Sequence, residues 1–158
     1  MLLAGELTDE QAKVAIAKLL FLRHEDPRAP VTVVIDSPGG SVVAALAIYD
    51  LFRDLECLVA TCATGQAVGT AAMLLCAGAP GHRTALERTR LAMAPIWSDS
   101  PVPDEELRRV RAIVYEVVSH HTGQTRRQVE AAFDPTLELT PEEAVSWGLI
   151  DRVASGLP

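Results

Sequence analysis

Apolar and polar positions along this chain switch repeatedly between strand-like and helix-like patterns. The start, MLLAGEL, reads as a short strand running into a turn. Thr8 is then placed to cap a helix, with Gln11 at the reciprocal capping-box position. Val14, Ile16, Ala17, Leu20 and Phe21 recur near helical spacing until the polar break HEDPRAP. VTVVID (31–36) is a continuous β-branched run of the kind buried on both faces of a parallel sheet. After SPGGS, VVAALAIYDLFRDL predicts a helix, CLVATCAT (57–64) a strand, and AVGTAAMLLCAGA (67–79) a helix stopped by the APGHR turn.

TRLAMAP predicts a further strand. PVPDEELRRVRAIVYEVVSHHTG opens on prolines, carries acids in its first turn and continues as a long amphipathic helix to Gly123. TRRQVEAAF and PEEAVSWGL predict two shorter helices, and IDRVA a closing strand. Strands alternating with helices imply right-handed βαβ crossovers in one α/β domain with a mainly parallel sheet. There are no repeats, low-complexity runs or linkers, so residues 1–158 are expected to form a single domain.

Composition narrows the chemistry. At 158 residues the chain is long enough for one real core. Hydrophobic residues make up 49% and aromatics only 4%, so that core must come from Ala, Val, Leu and Ile. A formal net charge of -7 argues against nucleic acid and against an anionic membrane surface as partner. Cys57, Cys62 and Cys76 lie in apolar stretches without CxxC spacing, which fits buried thiols in a reducing, cytoplasmic compartment. No His/Cys/Asp/Glu group has metal-ligand spacing, and neither a metal nor another cofactor is implied.

The glycines of DSPGGS follow directly on the buried strand. They make either a tight turn before a helix or a close backbone approach to a ligand, with free N–H groups able to hold an anion. The spacing is neither that of a Walker loop nor GxGxxG.

The blocks IDSPGGSV, AIYD, GQAVGTAAMLLCAGAPGHR, HTGQT and PEEAVSWGLID occur in an order and spacing that resemble the proteolytic subunit of the Clp protease. That family comprises serine peptidases of the ClpP/crotonase fold, with repeated ββα/βα units and a long handle helix. The resemblance covers the chain from about residue 2 to residue 154. It implies a catalytic serine within a block resembling G-x-A-x-S-M-G, and laid over GQAVGTAA the serine position is Gly69, followed by Thr70. The histidine position, eleven residues after Arg83, is Ala94. Asp134 is the best match for the aspartate, with a turn cap before Pro135 as its alternative reading.

A serine protease needs a hydroxyl, a base and donors for the oxyanion. Glycine and alanine supply neither of the first two. The implied donors are backbone N–H groups of Gly40 and Thr70, in a glycine loop formed by Gly39 and Gly40, and these do not depend on side chains. Other candidates fit poorly. Lys13 and Lys18 lie on the first helix, Ser37 and Ser41 read as turn and cap residues, and Cys76 sits within an apolar helix. His24, His82, His120 and His121 lie elsewhere along the chain.

The resemblance also implies rings that receive substrate from an ATP-driven unfoldase. Positions corresponding to its docking cleft read Thr32, Val34, Asp54, Cys62, Thr64, Thr84 and Leu86, without an aromatic anchor and with one charge, so unfoldase docking is doubtful. The chain opens at the family's first core strand, without its N-terminal axial segment. The handle, about residues 96–120, is shortened around Pro101 and Pro103, with Trp97 as either an interface anchor or a core residue.

The expected function is therefore a catalytically inactive, ClpP-like structural or regulatory subunit. It would form a homo-oligomer, or a hetero-oligomer with an active paralogue. One alternative is a Clp-type endopeptidase with a relocated nucleophile. Another is an acyl-CoA-binding crotonase-like enzyme, for which Glu56, Glu87 and Asp134 are the available carboxylates.

Overall fold

Three strand ends and the loops that follow them converge on one small cavity, and the fold is best understood from how it brings them there. The computed structural model describes residues 1–96 and 103–158. Strands β1 (Leu2–Ala4), β2 (Val31–Ser37), β3 (Val59–Val68), β4 (Arg83–Leu86) and β7 (Arg152–Ala154) lie side by side in that order, all parallel. The end of β3 also pairs in parallel with β5 (Arg90–Met93), on which β6 (Leu137–Leu139) runs antiparallel. This is the mainly parallel α/β architecture that the alternating pattern predicts.

Along β2 the residues Val31, Val33, Ile35 and Ser37 are buried and their neighbours only half-buried. One face of the sheet is therefore packed more deeply than the other. Helix α1 (Asp9–Glu25) packs through a narrow stripe of Ala12, Ala15 and Leu19. The apolar spacing had pointed instead to Val14, Leu20 and Phe21, which are 49%, 39% and 62% exposed. The small stripe is chosen because alanine lets the helix approach closely, and the larger side chains are left facing outward. Thr8 caps α1 by accepting from the Gln11 N–H at 3.2 Å, but only this half of the expected capping box is made. Complete boxes open α5 (Arg126–Phe133), through Thr125 and Gln128, and α6 (Pro141–Trp147), through Thr140 and Glu143.

Strand β3 is longer than predicted, and the helix after it, α3 (Thr70–Cys76), is shorter at both ends. Ala67 and Val68 continue the strand because they find a second partner, pairing with Leu91 and Ala92 of β5. The register of β2 on β3 slips between Ile35↔Ala63 and Ser37↔Ala67. Asp36 fixes this bulge by accepting from the Gln66 N–H at 3.1 Å. Strands β4 and β6 are absent from the sequence reading: each is short and bounded by turn residues, and only its neighbours make it a strand.

Helix α2 (Val42–Asp54) buries Ala44, Ala45, Ile48 and Phe52. The long helix α4 (Asp104–Thr122) ends at Gly123 in the left-handed conformation, φ 75°, as the sequence indicates. Arg111 of α4 donates twice to the Ile96 carbonyl, at 2.9 and 2.6 Å, tying this helix to the segment after β5. Trp97 and Pro101, at the start of the handle that the resemblance implies to be short, lie outside the described residues.

Arg83 joins the C-terminal half together. Its guanidinium grips both carboxylate oxygens of Asp151, at 3.0 and 2.6 Å. It also donates to the carbonyls of His121 at the end of α4, at 2.7 Å, and of Gly148 after α6, at 3.1 Å. The side chains of the pair are 10% and 20% exposed. Replacing Arg83 with Met would leave a carboxylate and several carbonyls without partners, at an expected cost of about 3–5 kcal/mol in urea unfolding.

Next to this junction, burial and the neighbouring cations push the His121 imidazole down to about 4 while its Nε2 pairs with the Tyr49 hydroxyl at 3.2 Å. An unfolded histidine titrates near ~6.5, so the unfolded chain takes up a proton the folded one refuses. Stability should fall as the pH drops from that value towards 4. His121→Gln should flatten this part of a Tm-against-pH curve.

Candidate functional site

The elbow is formed where β3 hands over to α3. The Gly69 N–H donates to the Ala92 carbonyl at 2.9 Å, and Gly69 adopts φ 58°, ψ −115° before the chain turns into the helix. This sharp strand-to-helix turn is of the type that exposes a nucleophile at the top of a sheet. A Cβ built on Gly69 would lie 3.8 Å from the Ala94 Cβ. The two positions implied for serine and histidine therefore face each other across the site, and neither carries a reactive group.

The cavity between them is about 50 Å³, lined by Pro38, Gly39, Gly40, Gly69, Thr70 and Ala94, with Pro95 and Ile96 beside them. No titratable side chain lines it among the described residues. Asp134 ends α5, is exposed, and is joined to Pro135 by a cis peptide bond. The antiparallel register pairs Met93 with Leu137. Continued one step, it sets Ala94 against Thr136 rather than Asp134.

The glycine loop departs from one sequence expectation. Its N–H groups are not free to hold an anion. The Gly39 N–H donates to Ser37 Oγ at 3.1 Å, the Gly40 N–H to Thr70 Oγ1 at 3.1 Å, and the Ser41 N–H to the Leu7 carbonyl at 2.7 Å. Glycine is required at residue 40: φ is +144°, and a Cβ there would come within 2.5 Å of the Leu7 carbonyl oxygen. The sequence shows a glycine pair after a strand, but not that Leu7, thirty-three residues earlier, bridges to it.

The other candidate groups are employed elsewhere. Ser37 is fully buried, and Ser41 caps α2 by accepting from the Ala44 N–H at 3.2 Å. Burial pushes the Cys76 thiol up to about 12, far from a reactive thiolate. Cys62 is buried too, whereas Cys57 is only half-buried, contrary to expectation. Lys13 and Lys18 are exposed on α1, and the carboxylates of Glu56 and Glu87 are also exposed.

Of the positions aligned with a docking cleft, Val34, Cys62 and Thr84 lie in register across β2, β3 and β4. Asp54 is exposed and pairs with Arg23 at 2.7 Å. No described helix is long and apolar enough to cross a membrane.

A mainly parallel sheet with helices between its strands and a sharp strand-to-helix elbow defines the class: an α/β protein of ClpP-like fold. The family model described as Clp protease matches residues 1–156, and the chain belongs to that family.

Glycine relieves the strain that any side chain would carry at residue 69. Gly69→Ser is therefore expected to fold, since the space is open, but with a loss of about 1–3 kcal/mol measurable as a lowered Tm. A gain in Tm would mean that the elbow backbone is not strained.

Proposed function

We propose that this Clp protease family member is a catalytically silent subunit that serves as a structural or regulatory part of an oligomer, alone or with an active paralogue. The observation that carries the reading is the facing pair Gly69 and Ala94, 3.8 Å apart by the built Cβ, in an elbow that keeps its backbone. Peptide hydrolysis through an acyl-enzyme needs an oxygen or sulfur nucleophile and a base to accept its proton. Among the described residues, Ser37 and Thr70 are buried, Ser41 caps a helix and the Cys76 thiol is held protonated. None of the described residues that line the cavity carries a carboxylate for crotonase-type chemistry.

The oligomeric half of the proposal is supported by α1. Its outward face, with Met1, borders an apolar cleft of about 540 Å³ that includes Val14, Ala17, Phe21 and Leu22. An exposed apolar surface of this kind marks an interface. The unpaired thiols Cys57, Cys62 and Cys76 support a reducing, cytoplasmic setting. The aromatic-free row across the sheet supports assembly without the usual unfoldase contact.

Intact-mass analysis after fluorophosphonate treatment, alongside hydrolysis of a short fluorogenic peptide, tests the first half. Neither adduct nor turnover is expected. A stoichiometric adduct would overturn the silent reading, and peptide mapping would name the nucleophile. For the second half, native mass spectrometry should show an oligomer that Phe21→Asp dissociates. A monomer at all concentrations, with and without a paralogue, would defeat it.

A further inference from the structure

Thr70 stands at the first position of α3, 4% exposed, with its hydroxyl in the small cavity between the glycine loop and the elbow. Thr70 Oγ1 accepts the Gly40 N–H at 3.1 Å and lies 3.3 Å from the Gly40 carbonyl oxygen, to which it donates. Resting on the family reading of Gly40 as an oxyanion donor, we infer that the Thr70 hydroxyl is a built-in occupant of the oxyanion hole. It closes the site to peptide and thioester carbonyls independently of the missing serine and histidine.

The argument is geometric. An oxyanion donor acts when the substrate oxygen sits about 2.7–3.1 Å from it. The Thr70 oxygen already occupies that range from the Gly40 nitrogen. The loop cannot readily turn its N–H elsewhere, because it is held on both sides by Leu7. The Leu7 N–H donates to the Gly39 carbonyl at 2.8 Å, and the Ser41 N–H donates to the Leu7 carbonyl at 2.7 Å. An acyl oxygen seeking that N–H would have to displace the hydroxyl that already holds it. The block G-x-A-x-S-M-G has methionine at this position, which brings no hydroxyl to the loop. Of the two donors the family reading implies, the Gly40 N–H is thus satisfied internally by the residue that carries the other.

Amide hydrogen exchange followed by NMR tests the occupant in the otherwise unaltered chain. Thr70→Ala should speed Gly40 exchange about tenfold, the equivalent of one hydrogen bond. Thr70→Ser, which keeps the hydroxyl, should not. Unchanged Gly40 exchange in Thr70→Ala, or equal acceleration in both variants, overturns the inference.

A second arm places Gly69→Ser and Ala94→His together. There the serine oxygen can displace fluoride from a fluorophosphonate while the histidine takes its proton. Adding Thr70→Ala to that background should raise the labelling rate about 100-fold, the effect of one oxyanion donor. No gain, whatever the starting rate, overturns the claim that the hydroxyl closes the hole. Labelling of the unaltered chain would instead defeat the silent-subunit reading and leave the Gly40 exchange result standing.

Discussion

The guanidinium of Arg83 is the point on which the C-terminal half of this fold depends. It leaves the first residue of β4 and reaches the end of α4, the turn after α6 and the carboxylate that precedes β7. Helix ends leave carbonyls without intrahelical partners, and burying them unpaired is costly. One planar cation with five donors satisfies two such ends and Asp151 together. In return the Arg83 guanidinium and backbone N–H hold the Asp151 carboxyl below the ordinary aspartate range. That contribution is present at neutral pH and is lost only in acid, as the pH falls through the lowered value. Because Thr61 of β3 pairs with Arg83, the same junction fixes the strand that carries the elbow.

The elbow itself is held at Gly69 by backbone bonds alone. Its position follows from strand pairing: the bulge at Asp36 lets β3 run on to β5, and the turn falls at Gly69. None of those bonds involves the side chain of residue 69 or 94. The elbow therefore needs no side chain at either position, and glycine at positive φ avoids strain.

Much of this was visible in the residue pattern. The buried run VTVVID, the long helix to Gly123 and the two short helices stand where their periodicity and capping residues place them. The absence of a serine at residue 69 and of a base at residue 94 is legible without coordinates. The buried face of helix α1 differs from the one the apolar spacing predicts, because its stripe is mostly alanine, which weighs little in a hydrophobic pattern beside Val14 and Phe21. Strands β4 and β6, three or four residues each, carry no period long enough to register.

The sequence by itself determined the fold class, the family and the identities of residues 69 and 94, glycine and alanine, because these rest on local patterning and on single residues. Only the tertiary structure decided which groups meet. It set Leu7 against Gly40, Arg83 against three distant segments, Ala94 across from Gly69, and the Thr70 hydroxyl on the Gly40 N–H. Such contacts join residues about thirty or more positions apart in most cases. Their partners are selected by strand register and backbone conformation, which depend on the whole sheet and cannot be read from any one stretch of the chain.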